Sequence, residues 1–223
     1  MPSIAEIVVH PKTFLKLNAL WPSGHLNMQA RGNPATFGPD GTAQVIPLTL
    51  RPKPGVQCLD KSGASMPCWE IAPAGLGGHL GYYLPWQPNS TKTMVIGDKA
   101  DFFITDTMNG CTFAAGTGGT VRVAHVNFNT FNDDGLREEG RPIDQGHMDA
   151  EVNRVMGIGT PGVALRKANY LVANGDFPNV TVVGVRRGGM WTFAYQKRAM
   201  TEPSRVGGAM VPAYRLVSVH NVR

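Results

Sequence analysis

The sequence predicts an α+β domain, a mixed β-sandwich with flanking helices, and three observations carry that reading. Glycine and proline supply 27 and 17 of the 223 residues without a repeating period, which excludes collagen and implies many turns between short elements. Short β-favouring runs recur along the chain. Helical cues are confined to two stretches beyond residue 140. At this length one core can bury roughly 70–75% of the unfolded surface, so a single domain over 1–223 is expected.

Residues 1 to 80 hold Pro34, Pro39, Pro47, Pro52, Pro54, Pro67 and Pro73, which leaves room for short strands such as Ala43–Leu50 but not for long helices. The stretch from Leu84 to Phe128 reads as strands. Asp101-Phe102-Phe103-Ile104-Thr105 is bulky and β-favouring, and Val121–Phe128 places β-branched residues on alternate positions. Next, Asp144 is placed to cap a helix carrying Met148, Val152, Val155 and Met156 on one face. Thr160-Pro161 before Val163–Ala173, with Asn174-Gly175 after it, has the start and stop of a second helix, with a strand as the alternative. Val180–Val185, Met190–Gln196 and Tyr214–His220 then read as three strands joined by turns at Gly188-Gly189 and Gly207-Gly208.

Composition also excludes functions. Hydrophobic residues at 42% and charged residues at 17%, without blocks of like charge, do not describe a disordered chain or a coiled coil. No apolar run approaches the roughly 18–20 residues of a membrane span, and Met1 to Glu6 lack a basic stretch ahead of an apolar one, so neither a span nor a Sec-type signal is expected. The net charge of +5 is concentrated in 181–223, where Arg186, Arg187, Lys197, Arg198, Arg205, Arg215 and Arg223 oppose Glu202 alone. Without an RNA or DNA motif beside it, this segment reads as a solvated basic strand face rather than a nucleic-acid site.

His10, His25, His79, His147 and His220 are scattered, and Asp133-Asp134 with Glu138-Glu139 fit neither a calcium loop nor a glycosidase pair. Gly75-Leu76-Gly77-Gly78 lacks the Lys-Ser/Thr of a phosphate loop. No metal and no cofactor are expected. Asn89-Ser90-Thr91 and Asn179-Val180-Thr181 match a glycosylation acceptor, which carries no weight without a secretory signal. Three cysteines cannot all pair internally; Cys58 and Cys68 could close one small loop, leaving Cys111 over.

Cys111 and His125 flank the turn Gly116-Thr117-Gly118-Gly119-Thr120. A hairpin centred on Gly118 sets Ala115 opposite Val121, Phe113 opposite Val123 and Cys111 opposite His125, all on one face. Directly opposed residues have Cβ atoms about 4.5–5.5 Å apart, within reach of an imidazole–thiol contact. A thiol needs such a base, because the thiolate is the nucleophile and a free thiol with a pKa of about 8.5 is scarcely ionised near neutrality. Amides around Gly110 and Cys111 would face a developing oxyanion, and Thr105 or Asn127 would orient the imidazole. The bland counterpart is a packed cysteine and a satisfied ring, since cysteine is among the most buried residue types.

The stretch Phe102-Phe103 to Asn109-Gly110-Cys111, continued by Phe113-Ala114, Ala115-Gly116, Gly118-Gly119 and His125, resembles the active-site segment of glutamine deamidases of the Burkholderia lethal factor type. That group is related in fold to the catalytic domain of the cytotoxic necrotizing factors and to the chemoreceptor deamidase CheD. Leu84-Pro85-Trp86 and the segment from Val183-Gly184 through Gly189-Met190 to Tyr195 share the resemblance, which covers 84–128 and 181–223. It implies a Gly-Cys nucleophile at Cys111, a histidine at His125 and a threonine six residues before the cysteine, Thr105. Asn109 stands where the family has the serine of Ser-Gly-Cys, and the Cys-to-His spacing is slightly longer. For the tyrosine that the lethal factor carries near its site, Tyr170 is the candidate.

The expectation that follows is a bacterial toxin or effector, monomeric, that deamidates one glutamine of a host regulatory protein in the host cytosol. By resemblance, the partner is a Rho-family GTPase or a translation-initiation helicase. The alternatives are a transglutaminase or cysteine protease using the same pair, and a non-enzymatic β-rich binding module with a basic face.

Overall fold

Turn chemistry decides where this chain folds back. The computed structural model describes residues 2–26, 45–75, 77–128, 145–157, 162–170 and 177–223. Its longest hairpins turn on glycine pairs with φ in the left-handed region, Gly188 and Gly189 at 52° and 80° and Gly207 and Gly208 at 56° and 86°. Such pairs favour the two-residue turn that matches the twist of antiparallel strands. They join β12 (Pro178–Arg187) to β13 (Met190–Val206) and β13 to β14 (Ala209–Asn221), so all three strands run longer than the β-favouring cores in the sequence indicate.

The earlier strands are β1 (Ala19–Pro22), β2 (Ile46–Pro52), β3 (Gln57–Leu59), β4 (Ser65–Met66), β5 (Cys68–Pro73), β6 (His79–Leu84), β7 (Ser90–Ile96), β8 (Phe102–Thr105), β9 (Thr112–Ala115), β10 (Val121–Asn127) and β11 (Val163–Leu165). Helices are few and short: α1 (Ile4–Val9), α2 (Pro11–Leu17), α3 (Gln145–Met156) and α4 (Lys167–Tyr170). Ser3 caps α1, and Pro11 opens α2 at the first helical position, where its missing N–H costs nothing. The stretch read as helix or strand is both. Val163–Leu165 pairs with β9, and α4 begins two residues later.

Two sheets result. A ten-stranded mixed sheet runs β1-β5-β2-β6-β8-β12-β13-β14-β3-β4, and a four-stranded antiparallel one runs β11-β9-β10-β7. They face each other through Met94, Phe113, Val121, Val123 and Leu165 on one side and Tyr82, Leu84, Phe103, Val182 and Phe193 on the other. Ile7, Leu15 and Phe14 of α1 and α2 cover the far face of the large sheet at Phe102, Ile104 and Val183. Met148 and Val152 of α3 cover the far face of the small sheet at Ala124 and Val126.

The expected sandwich is met only in part. The chain is mostly β, and the large sheet is a nearly closed curl rather than a flat layer. β4, at one end of the strand order, continues through Pro67 directly into β5, next to the other end, and Ala19 of β1 donates to the Pro67 carbonyl at 2.8 Å. Inside the curl, Gln196 accepts from the Leu20 amide at 2.9 Å and donates to the Leu15 and Asn18 carbonyls at 2.5 and 2.7 Å. Arg198 donates to Asn179, Thr181, Gln196 and the Leu20 carbonyl, with its guanidinium 4.1 Å from the Trp21 ring centroid. This corrects the reading of 181–223 as a solvated basic face at Arg198 alone; Arg187, Arg205, Arg215 and Arg223 are exposed as expected. Strand alternation carries Arg198 inward, where it is fully buried and its pKa is lowered to about 10, chiefly by desolvation.

The hairpin between β9 and β10 also differs from expectation. His125 stands opposite Phe113 and Val123 opposite Ala115, so the register lies two residues from one centred on Gly118. The cause is tertiary. Trp191 donates to the Gly118 carbonyl at 2.9 Å, Arg186 donates to the Gly119 carbonyl at 3.3 Å, and a Cβ on Gly119 would lie 2.5 Å from the Gly189 oxygen. The hairpin tip is thus docked against the β12–β13 turn, which fixes the apex at Gly119. Gly119→Ala is expected to lower stability by about 1–3 kcal/mol, because backbone rather than a flexible side chain must move. Gly116→Ala, with a nearest contact of 3.6 Å, should cost much less. Thermal unfolding of the two variants checks this order.

Candidate active site

Cys111 lies where the chain leaves one sheet for the other. β8 ends at Thr105 in the large sheet and β9 begins at Thr112 in the small one. Met108, midway, exchanges two backbone hydrogen bonds of 2.8 Å with Val180, which pins the crossing to β12. Asp106 donates its amide to the Leu84 carbonyl at 2.9 Å, fixing the start of the same segment. Cys111, 1% exposed, therefore sits at the seam between the sheets.

Burial pushes the Cys111 thiol up to about 12; hydrogen bonds from the backbone of Asn109, the Trp86 side chain and the backbone of Gly110 oppose that rise, and the charge of Asp106 adds to it. The Asn109 and Gly110 amides thus face the sulfur itself. On the carbonyl side, the Tyr170 hydroxyl donates to the Cys111 oxygen at 2.5 Å. Tyr170 is fully buried, and its pKa is raised well above the ordinary phenol value, first by desolvation and then by Cys111. The residue before and the residue that clamps the carbonyl come from different parts of the chain, so the cysteine backbone is held from two sides.

His125 shares the face of Cys111 but is not opposite it. The two-residue shift preserves the alternation, and one further step of the register sets Asn127, not His125, across from Cys111. His125 becomes a diagonal neighbour, at a separation of about 7–8 Å in a regular ladder, still within reach of long side chains. Both ring nitrogens are buried without a hydrogen-bond partner among the described residues. Desolvation lowers the imidazole pKa to about 3, so the ring is neutral. An unmet buried polar group costs about 1–3 kcal/mol, and in a native fold it calls for a reason.

Thr105 is fully buried, and its hydroxyl accepts from the Val182 amide at 3.3 Å, which extends the β8–β12 ladder rather than reaching the imidazole. The structure thus brings Cys111, Asn109, Gly110 and Tyr170 together, sets His125 and Asn127 on the same face, and gives Thr105 a bond to the neighbouring strand. Sequence reasoning did not single out Trp86 as a partner of the thiol, although Leu84-Pro85-Trp86 carries part of the resemblance. It also missed Gln145, which donates to Thr112 at 3.0 Å and to Asp149 at 2.9 Å, Asp149 in turn pairing with Arg166 at 2.8 Å. Those bonds fix α3 and the start of α4 around β9. No sequence pattern marks the links from Gln145 to Thr112 and from Asp149 to Arg166, which join segments more than 15 residues apart, whereas Gln145 and Asp149 lie four residues apart on α3.

Cys58, Cys68 and Cys111 are free thiols. Among the described residues no three His, Cys, Asp or Glu side chains gather as a metal site, and no helix is long and apolar enough to cross a membrane. Asp133, Asp134, Glu138, Glu139 and Asp144 lie outside the described residues.

No family model matches the chain, and no curated protein matches it. Among solved structures it is similar to the C-terminal domain of CNFy from Yersinia pseudotuberculosis, with a TM-score of 0.30 and 12% sequence identity over 64% of this chain and 61% of that one. The chain thus spans less than two thirds of that domain. The likeness is a weak structural similarity to a bacterial toxin domain.

The buried imidazole makes stability depend on pH. The unfolded chain binds a proton below about 6.5 that folded His125 takes up only near 3, so between those values the unfolded state holds more protons. Stability from this group is complete above about 6.5 and is lost as pH falls toward 3, at no more than about 1.4 kcal/mol per pH unit. Urea unfolding of the wild type and His125→Phe at several pH values reads the effect directly. The wild-type slope should exceed that of the variant across this window.

Proposed function

We propose that the protein is a glutamine deamidase of the toxin or effector kind, with Cys111 as nucleophile and His125 as base. One observation supports this most: a buried thiol beside backbone amides, its own carbonyl held by Tyr170, shares a face with a buried imidazole whose two nitrogens have no partner among the described residues. Purely structural packing gains nothing from leaving that ring unmet. The resemblance of 84–128 to deamidase active-site segments points the same way.

In this reading the described arrangement is a resting form. With the thiol near 12 and the imidazole near 3, the proton stays on sulfur. Entry of a glutamine side chain supplies polar groups to the seam, which brings both values toward neutrality, and the His125 nitrogen takes the thiol proton. Sulfur bonds to the amide carbon, and the carbonyl electron pair moves to oxygen, where the Asn109 and Gly110 amides are within the same loop to receive it. The C–N bond then breaks, and the imidazolium gives its proton to the departing ammonia. Water, deprotonated by the same ring, hydrolyses the thioester to glutamate and restores the thiol. The host protein that carries the glutamine is a regulatory protein in the host cytosol, of the GTPase or helicase type by resemblance.

A second reading rests on the same burial. If Cys111 and His125 are only packed, the protein is a β-rich binding module, and the depressed basicity of the ring is simply its surroundings. Cys111→Ser separates the two. It should abolish ammonia release from the target while moving the unfolding midpoint by no more than about 2 °C, since the swap is small. Thr105→Val should cost about 1 kcal/mol, the value of its bond to Val182, and slow turnover roughly tenfold or more through the crossing it anchors. Activity that survives in Cys111→Ser contradicts the nucleophile assignment.

A further inference from the structure

Away from the seam, a cavity of about 410 Å³ opens between α2, the β11–α4 segment and the end of β14. Its rim carries Lys12, Lys16, His220 and Arg223, and no acidic side chain among the described residues lines it. Lys12 and Lys16 are four residues apart and project from one face of α2. Asn169 and Asn221 add polar groups to its lining, the buried Leu165 and Tyr195 and the half-buried Val219 lie beneath, and the Tyr195 and His220 rings are 5.6 Å apart. The Ala164 amide donates to the Arg223 carbonyl at 3.0 Å, which fixes the backbone under that guanidinium. A second cavity, of about 310 Å³, offers a contrast: Asp98 and Asp101 stand among its cations, and Asp101 is already paired with His79 at 2.7 Å. Of the two, the first has no acidic side chain among its described lining residues.

Its wall is also the wall of the candidate active site. Leu165 packs in the same cluster as Cys111, and Tyr170, which follows on α4, holds the Cys111 carbonyl. We propose that this groove docks an acidic segment of the protein whose glutamine Cys111 modifies; the inference rests on the deamidase reading for the identity of that protein, but not for the binding itself. A compact anion such as phosphate is held by donors converging on one buried point. Here every cationic group lies exposed on the rim, spread over α2 and the end of β14, with Asn169 and Asn221 in the same lining. That layout suits carboxylates spaced along an extended peptide. Charges placed at a rim speed encounter and fix register more than they deepen affinity, and they are screened by salt.

The test uses the full chain carrying Cys111→Ser, so that chemistry plays no part, and a fluorescein-labelled decaglutamate peptide as the probe. Fluorescence anisotropy should show binding that weakens roughly tenfold or more both in K12Q/R223Q and on raising salt from about 50 to about 300 mM. Neither position has a buried side chain, so circular dichroism and the unfolding midpoint should match the parent. Equal binding by K12Q/R223Q overturns the proposal, as does tripolyphosphate binding where decaglutamate does not, which would assign the groove to a free anion. Loss of binding in K12Q/R223Q, with no glutamine converted by the wild type in any protein, would keep the groove and remove the deamidase reading.

Discussion

The crossing from Thr105 to Thr112 is the constraint on which the rest depends. Six residues must carry the chain from the large sheet to the small one, and although Asn109 is exposed, the buried backbone groups at Met108, Gly110 and Cys111 need partners. Met108 finds two on Val180, Asp106 finds Leu84, and the Cys111 carbonyl finds Tyr170. The result is a cysteine whose main chain is fixed by β6, β12 and α4 together. In the proposed reading, a thiol placed by packed secondary structure rather than by a free loop is held in one orientation, which is what an in-line attack on an amide requires.

The same seam sets the electrostatics. The buried polar groups that close the curled sheet are matched: Arg198 has no carboxylate beside it among its described partners, yet amide, hydroxyl and carbonyl oxygens and the Trp21 ring receive its donors. Gln196 is matched likewise. Among the described residues His125 is not, on either ring nitrogen, and the Gln145 Oε1 and Ser204 hydroxyl oxygens share that state on one atom each. The difference separates residues that close the curled sheet from one whose hydrogen-bonding capacity is held open, and it is the reason the imidazole, rather than the more heavily solvated His79 or His220, carries the functional argument.

Much of this was legible in residue patterns, for identifiable reasons. The glycine pairs at 188–189 and 207–208 announce their hairpins because only glycine takes those backbone angles freely. The alternation from Cys111 to His125 gave the correct face, since period two survives any even shift of register. The register itself was not legible, because the apex is set by contact of Gly119 with the Gly189 turn, some 70 residues distant in sequence. Arg198 was taken for a surface charge because composition cannot tell which parity of a long strand faces inward. Tyr170 was reachable only through resemblance, and the polar links from Gln145 to Thr112 and from Asp149 to Arg166 had no signature at all.

The most direct test of the central claim is a map of glutamine-to-glutamate conversion. Purified protein is incubated with eukaryotic cytosol beside its Cys111→Ser counterpart, and the digests are compared by mass spectrometry for the gain of about 1 Da that accompanies loss of an amide. The account predicts conversion of one or a few glutamines in a folded protein, present with the wild type and absent with the serine variant. No difference between the two, or scattered conversion in denatured proteins, would contradict it; cross-linked or cleaved products would assign the thiol to acyl transfer or proteolysis instead.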